Sequence, residues 1–416
     1  MRYRYLIWLS NLFQTGRPLT QAVLTLCAFC ALCGHSLAQD FRTLKDGVEY
    51  AEVTKEISGK SVNMNLLRLD LKKVRLDVHH AMDAAIGTEK TSSIATRHGA
   101  FAAINAGFFR LDNSTFAGDA AGLMMIDGQL VSESVNNRVA LQILNLKKRS
   151  EVSIGRFDIN PWVGSFDSRF QVKLSGINRE MKDGELVLYS SFFGPATLST
   201  LPGTDIILSK CKRKKYYKKE TLAVCESIEI HANTRNTAIP KDGYVISTGP
   251  KDFKDKTLLL NELKLFGLVN KKKRTVYIRS EDAKTMSNAF DPEEDIVAGV
   301  PQLIKNGKVD VTWEQEKTTK AFVETRHPRT AVAKLKDGKF LMITVDGRSE
   351  ASGGIGLQDL AEYLLSLGAV DAMNLDGGGS TTMFVDGKVV NKPSDKEGER
   401  KVSDAILVTL RKAGRR

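Results

Sequence analysis

Residues 331–345 read AVAKLKDGKFLMITV, two apolar runs joined across an Asp-Gly pair. Asp-Gly supplies the positive-φ residues of a tight hairpin, so the stretch predicts two antiparallel strands. The signal recurs at Asp127-Gly128 in LMMIDGQLV, Asp183-Gly184 in MKDGELVLY, Asn306-Gly307 in QLIKNGKVDV and Asp386-Gly387 in TMFVDGKVV. Five such turns describe a chain built largely of antiparallel sheet. Residues 61–79 alternate apolar and polar with one slip at Leu66-Leu67. That pattern predicts a strand pair, or one long strand with a bulge.

Helical signals are few. In LQDLAEYLLSL (357–367), Leu357, Leu360, Ala361, Leu364 and Leu365 form one apolar stripe on a 3.6-residue period, and Gly368 ends it. AVDAMNLD then predicts a short buried strand. Residues 91–97 predict a short helix with Thr or Ser as its N-cap. The fold class expected is α+β: hairpin-rich mixed or antiparallel sheets with a few packed helices. One large domain is expected over 39–416. Residues 155–300, with their charged runs KDFKDK and KKKR, read as less regular insertions within it.

Composition sets the outer limits. The chain has 416 residues, 42% hydrophobic and 26% charged, which suits a globular protein and excludes a disordered or polytopic membrane chain. Net charge is +12, which favours an anionic partner. Residues 1–38 read as a signal peptide. Arg2, Arg4 and Arg17 precede the apolar stretch AVLTLCAFCALC, and Ser36-Leu37-Ala38 offers a small-x-Ala cleavage pattern. The expected setting is therefore exported, periplasmic or secreted, with no stable membrane insertion after cleavage. Two cysteines, Cys211 and Cys225, remain beyond that segment. In an oxidising compartment they are expected to pair across the basic loop KRKKYYKKETLAV.

Four clusters interrupt apolar runs where strands should end. In FAAINAGFF, Asn105 offers a donor and an acceptor to a ligand. Before the strand AVAKL, Arg329 offers a planar fork suited to phosphate, while His327 reads as a loop histidine. Asp346-Gly347-Arg348-Ser349 follows FLMITV without a returning strand. It places Asp346 and Arg348 on a lip before the helix. The most specific cluster is Asn374-Leu375-Asp376-Gly377-Gly378-Gly379-Ser380-Thr381-Thr382. Consecutive glycines after a strand allow backbone amides to approach an anion, beside the carboxylate of Asp376 and the hydroxyls of Ser380 and Thr381. No Lys follows, so it is not a P-loop, and no Gly-x-Ser-x-Gly elbow is present.

Taken in order, FAAINAGFF, PRTAVA, VDGRSE, the block from Gly353 through NLDGGGSTTMFVDG, Pro393-Ser394-Asp395 and Arg400-Lys401-Val402 resemble the phosphodiester glycosidase domain family. Ala333 departs from the Gly usual there. The resemblance implies an exported hydrolase that splits a sugar-1-phosphodiester, of the N-acetylglucosamine-1-phosphodiester kind, into free sugar and phosphate monoester. It implies a cleft lined by Asn105, Arg329, Thr330, Asp346, Arg348, Asn374, Asp376 and Ser380. The expected roles are Asp376 or Asp346 as nucleophile or base. Arg329, Arg348 and the glycine amides would grip phosphate, and Asn105 and Asn374 would orient the sugar.

Two other readings stay open: a P–O-cleaving phosphodiesterase, and a non-catalytic binder of anionic cell-envelope glycan. The first usually needs paired metals, and the spacing of the six histidines shows no metal set. No cofactor is expected, and no spacing supports a divalent cation. The partner expected is a phosphorylated sugar or glycan. Nucleic acid is not expected, because few aromatics accompany the basic runs.

Overall fold

The computed structural model describes residues 40–165, 170–216, 220–252, 254–268, 276–282 and 294–411. Residues 1–38 and the run KKKR lie outside them. Strand accounts for 48% of residues and helix for 12%, so the chain is mainly β with few helices, consistent with the mixed α+β expectation.

An eight-stranded antiparallel sheet runs in the order Arg42–Lys45, Val48–Ile57, Lys60–Leu69, Phe340–Val345, Arg329–Leu335, Ala369–Asn374, Gln302–Lys305, Lys308–Val309. A five-stranded sheet runs Lys388–Val389, Met383–Val385, Ala102–Asn105, Asp404–Leu410, Val74–His80. Leu67, Leu69, Val332, Met342 and Met373 from the first pack with Leu76, Ile104, Met383 and Ile406 from the second in one core. The stretch 61–79 is therefore two strands, but they belong to different sheets. Leu66 and Leu67 are both fully buried, which accounts for the slip: this strand is covered on both faces.

Four of the five expected hairpins form. Asp127-Gly128, Asn306-Gly307 and Asp386-Gly387 carry positive φ at both positions, as a type I′ turn requires. At Asp337-Gly338 only the glycine does, and the Leu335 and Lys339 backbones close a three-residue loop instead. Asp183-Gly184 is a turn without a hairpin. Leu186–Ser190 pairs with Tyr244–Thr248 and, in parallel, with Gly176–Ile177.

The helix expected at 357–367 spans Leu357–Ser366 and buries Leu357, Leu360, Ala361, Tyr363 and Leu364. Thr91–Arg97 is helical, but its N-cap is Lys90 with no side-chain cap; Glu399 instead accepts from the Ser92 amide and hydroxyl. Residues 155–300 correct the expectation of irregularity. They hold two five-stranded sheets, one containing Ile159–Ser165 paired with Val276–Asp282, the other built on Gly203–Ser209 and Tyr244–Thr248. Leu186, Leu188, Ile206, Leu208, Ile246 and Leu259 form the core of this region. The helix Lys254–Leu268 was not foreseen. Cys211 and Cys225 form a disulfide, in keeping with the cysteine count.

Candidate active site

Antiparallel register carries the candidate residues to one end of both sheets. Arg329 opens a strand opposite Val345, so Asp346 leaves the same hairpin end. Asn374, the last residue of its strand, pairs with Ala331. In the second sheet Asn105 lies opposite Ala405, beside Asp404, while Met383 lies opposite Ile104. The loop 375–382 crosses from one sheet to the other, and Asp376 stands on it.

Asn105 fixes that crossing. Its Nδ2 donates to the Asp376 carbonyl (2.7 Å). Its Oδ1 accepts from Thr330 Oγ1 (2.8 Å) and the Thr382 amide (3.1 Å). The Asp376 amide donates to the Ala106 carbonyl (2.9 Å), and the Leu375 amide to that of Thr330 (2.8 Å). Asn105 and Thr330 are fully buried, so both hold the loop in place. This differs from the ligand-orienting role read from the sequence for Asn105.

The glycines serve close approach. The Gly377 amide donates to Asp376 Oδ1 (2.9 Å), and that of Gly378 to the Pro328 carbonyl (2.9 Å). Two of the three amides are thus engaged within the protein, and the run is less of an open anion nest than its composition suggests. A side-chain carbon at Gly377 would lie 2.8 Å from the Pro328 carbonyl oxygen. One at Gly379 would collide with the Arg400 guanidinium and the Asp395 carboxylate. Those two form a bidentate pair, with Nε–Oδ2 at 2.7 Å and Nη2–Oδ1 at 3.0 Å.

Burial dominates the electrostatics of Asp376 and pushes its pKa up to about 6. The Ser380 hydroxyl and the Gly377 amide oppose that rise, Asp404 adds to it, and Arg400 opposes it. Ser380 lies near enough to favour the anion yet falls outside hydrogen-bond geometry. Asp376 keeps partial exposure to solvent. Asp346 is more enclosed, and its Oδ1 accepts from the Lys392 amide (3.0 Å) and Asn391 Nδ2 (3.4 Å). Burial raises its pKa as well. Asn391 Nδ2 also donates to the Thr381 carbonyl (3.0 Å), tying Asp346 to the glycine loop.

The two arginines divide. Arg329 is 2% exposed. Its Nε donates to the Ile355 carbonyl (3.3 Å), and its Nη2 to those of Phe322 (2.7 Å) and Thr325 (2.9 Å). Its guanidinium lies 4.9 Å from the Phe322 ring centre. Burial, then Arg348, lowers its pKa to about 10. Arg329 is thus largely a brace. Arg348 is exposed, lies beside Gly378, and donates only a long bond to Ser394 Oγ (3.4 Å). Among the described residues it has no carboxylate partner, and its φ of +60° is a left-handed conformation unusual for a large side chain.

Buried polar atoms without a protein partner gather here. Among the described residues there are eleven, and eight lie between Arg326 and Thr382: two on Arg326, then His327 Nδ1, Thr344 Oγ1, Asn374 Oδ1, Ser380 Oγ, Thr381 Oγ1 and Thr382 Oγ1. Such groups are few in folded proteins, and most of these belong to the segments that carry the candidate residues.

Sequence reasoning missed two supports. Asp404 is fully buried under the site; its Oδ1 accepts from the Gly107 amide (2.5 Å) and its Oδ2 from Ser403 Oγ. His80 faces it across the sheet register; burial raises the Asp404 pKa, and His80 opposes that rise. An acid opening the apolar run DAILVTL was the available signal. The Asp395–Arg400 pair had only its place in the motif to announce it.

Residues 222–409 match the phosphodiester glycosidase family. That match covers somewhat less than half of the chain and includes Arg329, Asp346, Arg348 and Asp376. More particularly, the chain is 35% identical over 130 residues to bovine N-acetylglucosamine-1-phosphodiester alpha-N-acetylglucosaminidase, covering 29% of this chain and 24% of that enzyme. It is 43% identical over 107 residues to the SPbeta prophage-derived uncharacterized protein YomE of Bacillus subtilis, covering 26% and 16%. The matches span a quarter or less of these relatives' own lengths. The fold recurs in the crystal structure of a hypothetical protein from Synechocystis, with a TM-score of 0.69 and 21% identity over 89% of this chain and 63% of that one.

Proposed function

We propose that this chain is an exported hydrolase that cleaves the anomeric C–O bond of a sugar-1-phosphodiester, N-acetylglucosamine being the first sugar to test. The observation that carries the reading is Asp376: Asn105 holds its backbone carbonyl, burial raises its pKa, and its glycine loop meets the exposed Arg348 at Gly378. The bond between sugar and phosphate oxygen breaks as the anomeric carbon gains cationic character. The departing phosphate monoester has a second pKa of ~6, so it leaves without a strong acid. Asp376, ionised above its pKa, acts as nucleophile or as base for the incoming water. Arg348 holds the phosphate, and Nη1 of Arg329 adds positive potential behind it. Asp346 and the Asp395–Arg400 pair keep the surrounding loops in place.

Export draws support from the pattern of residues 1–38 and from the disulfide. No described helix is long and apolar enough to cross a membrane. Incubation of the purified protein with a panel of sugar-1-phosphodiesters tests the activity. Release of free sugar that vanishes in Asp376→Asn is the expected result. Binding without turnover across the panel would favour the glycan-binding alternative.

A further inference from the structure

We propose that His79, Asp83 and His98 form a binding site for one late first-row divalent cation, zinc above all, using none of the residues of the cleft. One ligand atom from each of the three lies within 4.8 Å of the others. Their spacing in sequence hid this. His79 sits on the edge strand Val74–His80, on the face opposite the buried His80. His98 follows the helix Thr91–Arg97, and Asp83 lies on a short turn at a φ of +53°. The two imidazole rings stack 3.7 Å apart with 25° between their planes.

The chemistry of the donor set favours a metal over a simple ion pair. His98 Nε2 lies 3.0 Å from Asp83 Oδ1 and 3.0 Å from Arg97 Nη1. A carboxylate only accepts and a guanidinium only donates, so no single state of this nitrogen satisfies both contacts. A cation between Nε2 and Oδ1 takes both lone pairs, once Arg97 Nη1 withdraws from Nε2 and the His79 ring turns out of its stack toward the ion. Tetrahedral zinc sets neighbouring N and O ligands ~3.3 Å apart, close to the spacing already present. Arg97 also pairs with Asp83, and yields it without losing all partners, because Nη2 and Nε reach Glu89 at 2.9 and 3.3 Å. Three protein ligands leave a fourth position for water. The cation would tie the strand end that carries His80 to the helix Thr91–Arg97 and so stiffen the floor under Asp404.

The test uses untagged protein stripped with a chelator and titrated with Co²⁺, then Zn²⁺. One equivalent of Co²⁺ should give the visible absorption of a tetrahedral site, Zn²⁺ should abolish it, and Tm should rise with Zn²⁺. His79→Ala and His98→Ala should each weaken binding at least ~10-fold, and the exposed His231→Ala should leave it unchanged. Circular dichroism of the metal-free variants controls for folding, with His98→Gln as the substitute where His98→Ala unfolds. Absence of saturable one-to-one binding, or binding that survives both histidine variants, overturns the proposal.

Discussion

Two β-rich regions of this chain handle their polar groups in opposite ways. In the sheets between Ile159 and Asp282, a buried acid such as Asp205 is satisfied by the hydroxyls of Thr234 and Thr237. Among the described residues there, only Ser247 Oγ is buried without a partner. Between Arg326 and Thr382 eight such atoms gather, together with a glycine run, a left-handed arginine and a carboxylate of raised pKa. One region is finished as a core. The other leaves hydrogen-bonding capacity unused among buried side chains. Sequences depart from self-consistent packing where function demands it, and here the departure is local.

Substitutions should expose the contrast. Asp376→Asn is expected to lower kcat by about 10³-fold, read by sugar release. It should also stabilise the protein. A carboxylate whose pKa is higher when folded adds most stability below pH ~4, and that contribution is lost as pH rises to about 6. The neutral amide escapes this loss, so at pH 7 denaturant melts should show a gain of about 2 kcal/mol, absent at pH 4. Asn105→Ala removes the pin on the loop while leaving Asp376 intact. We expect about 100-fold less activity and about 2 kcal/mol less stability, since Thr330 and Thr382 lose a buried partner. Arg348→Ala should raise KM about 10-fold at low salt, less at high salt, with stability within about 0.5 kcal/mol. Cys211→Ser with Cys225→Ser lies in the other region. It should cost about 3 kcal/mol and leave kcat/KM unchanged.

The hairpins around Asp127, Asn306, Asp337 and Asp386 were legible because their turns are local, and the helix at Leu357 because its apolar stripe is. The 155–300 sheets were not. Ile159–Ser165 finds its partner at Val276–Asp282, over a hundred residues away, and nothing in either segment names the other. Asp376 and its glycines were legible as a candidate site, because such a run after a strand has few other uses. The separate fates of the arginines were not. Arg329 and Arg348 look alike in sequence, and only the carbonyls of Phe322, Thr325 and Ile355 make one a brace. The different surroundings of Asp376 and Asp346 depend in the same way on the Lys392 amide, which reaches Asp346 from elsewhere in the chain.

The central claim is that Asp376 serves cleavage at the sugar carbon. Turnover of an N-acetylglucosamine-1-phosphodiester in ¹⁸O-labelled water tests it most directly. The account predicts label in the released sugar and none in the phosphate, with both products lost in Asp376→Asn. Label in the phosphate, or unchanged turnover by that variant, would contradict it.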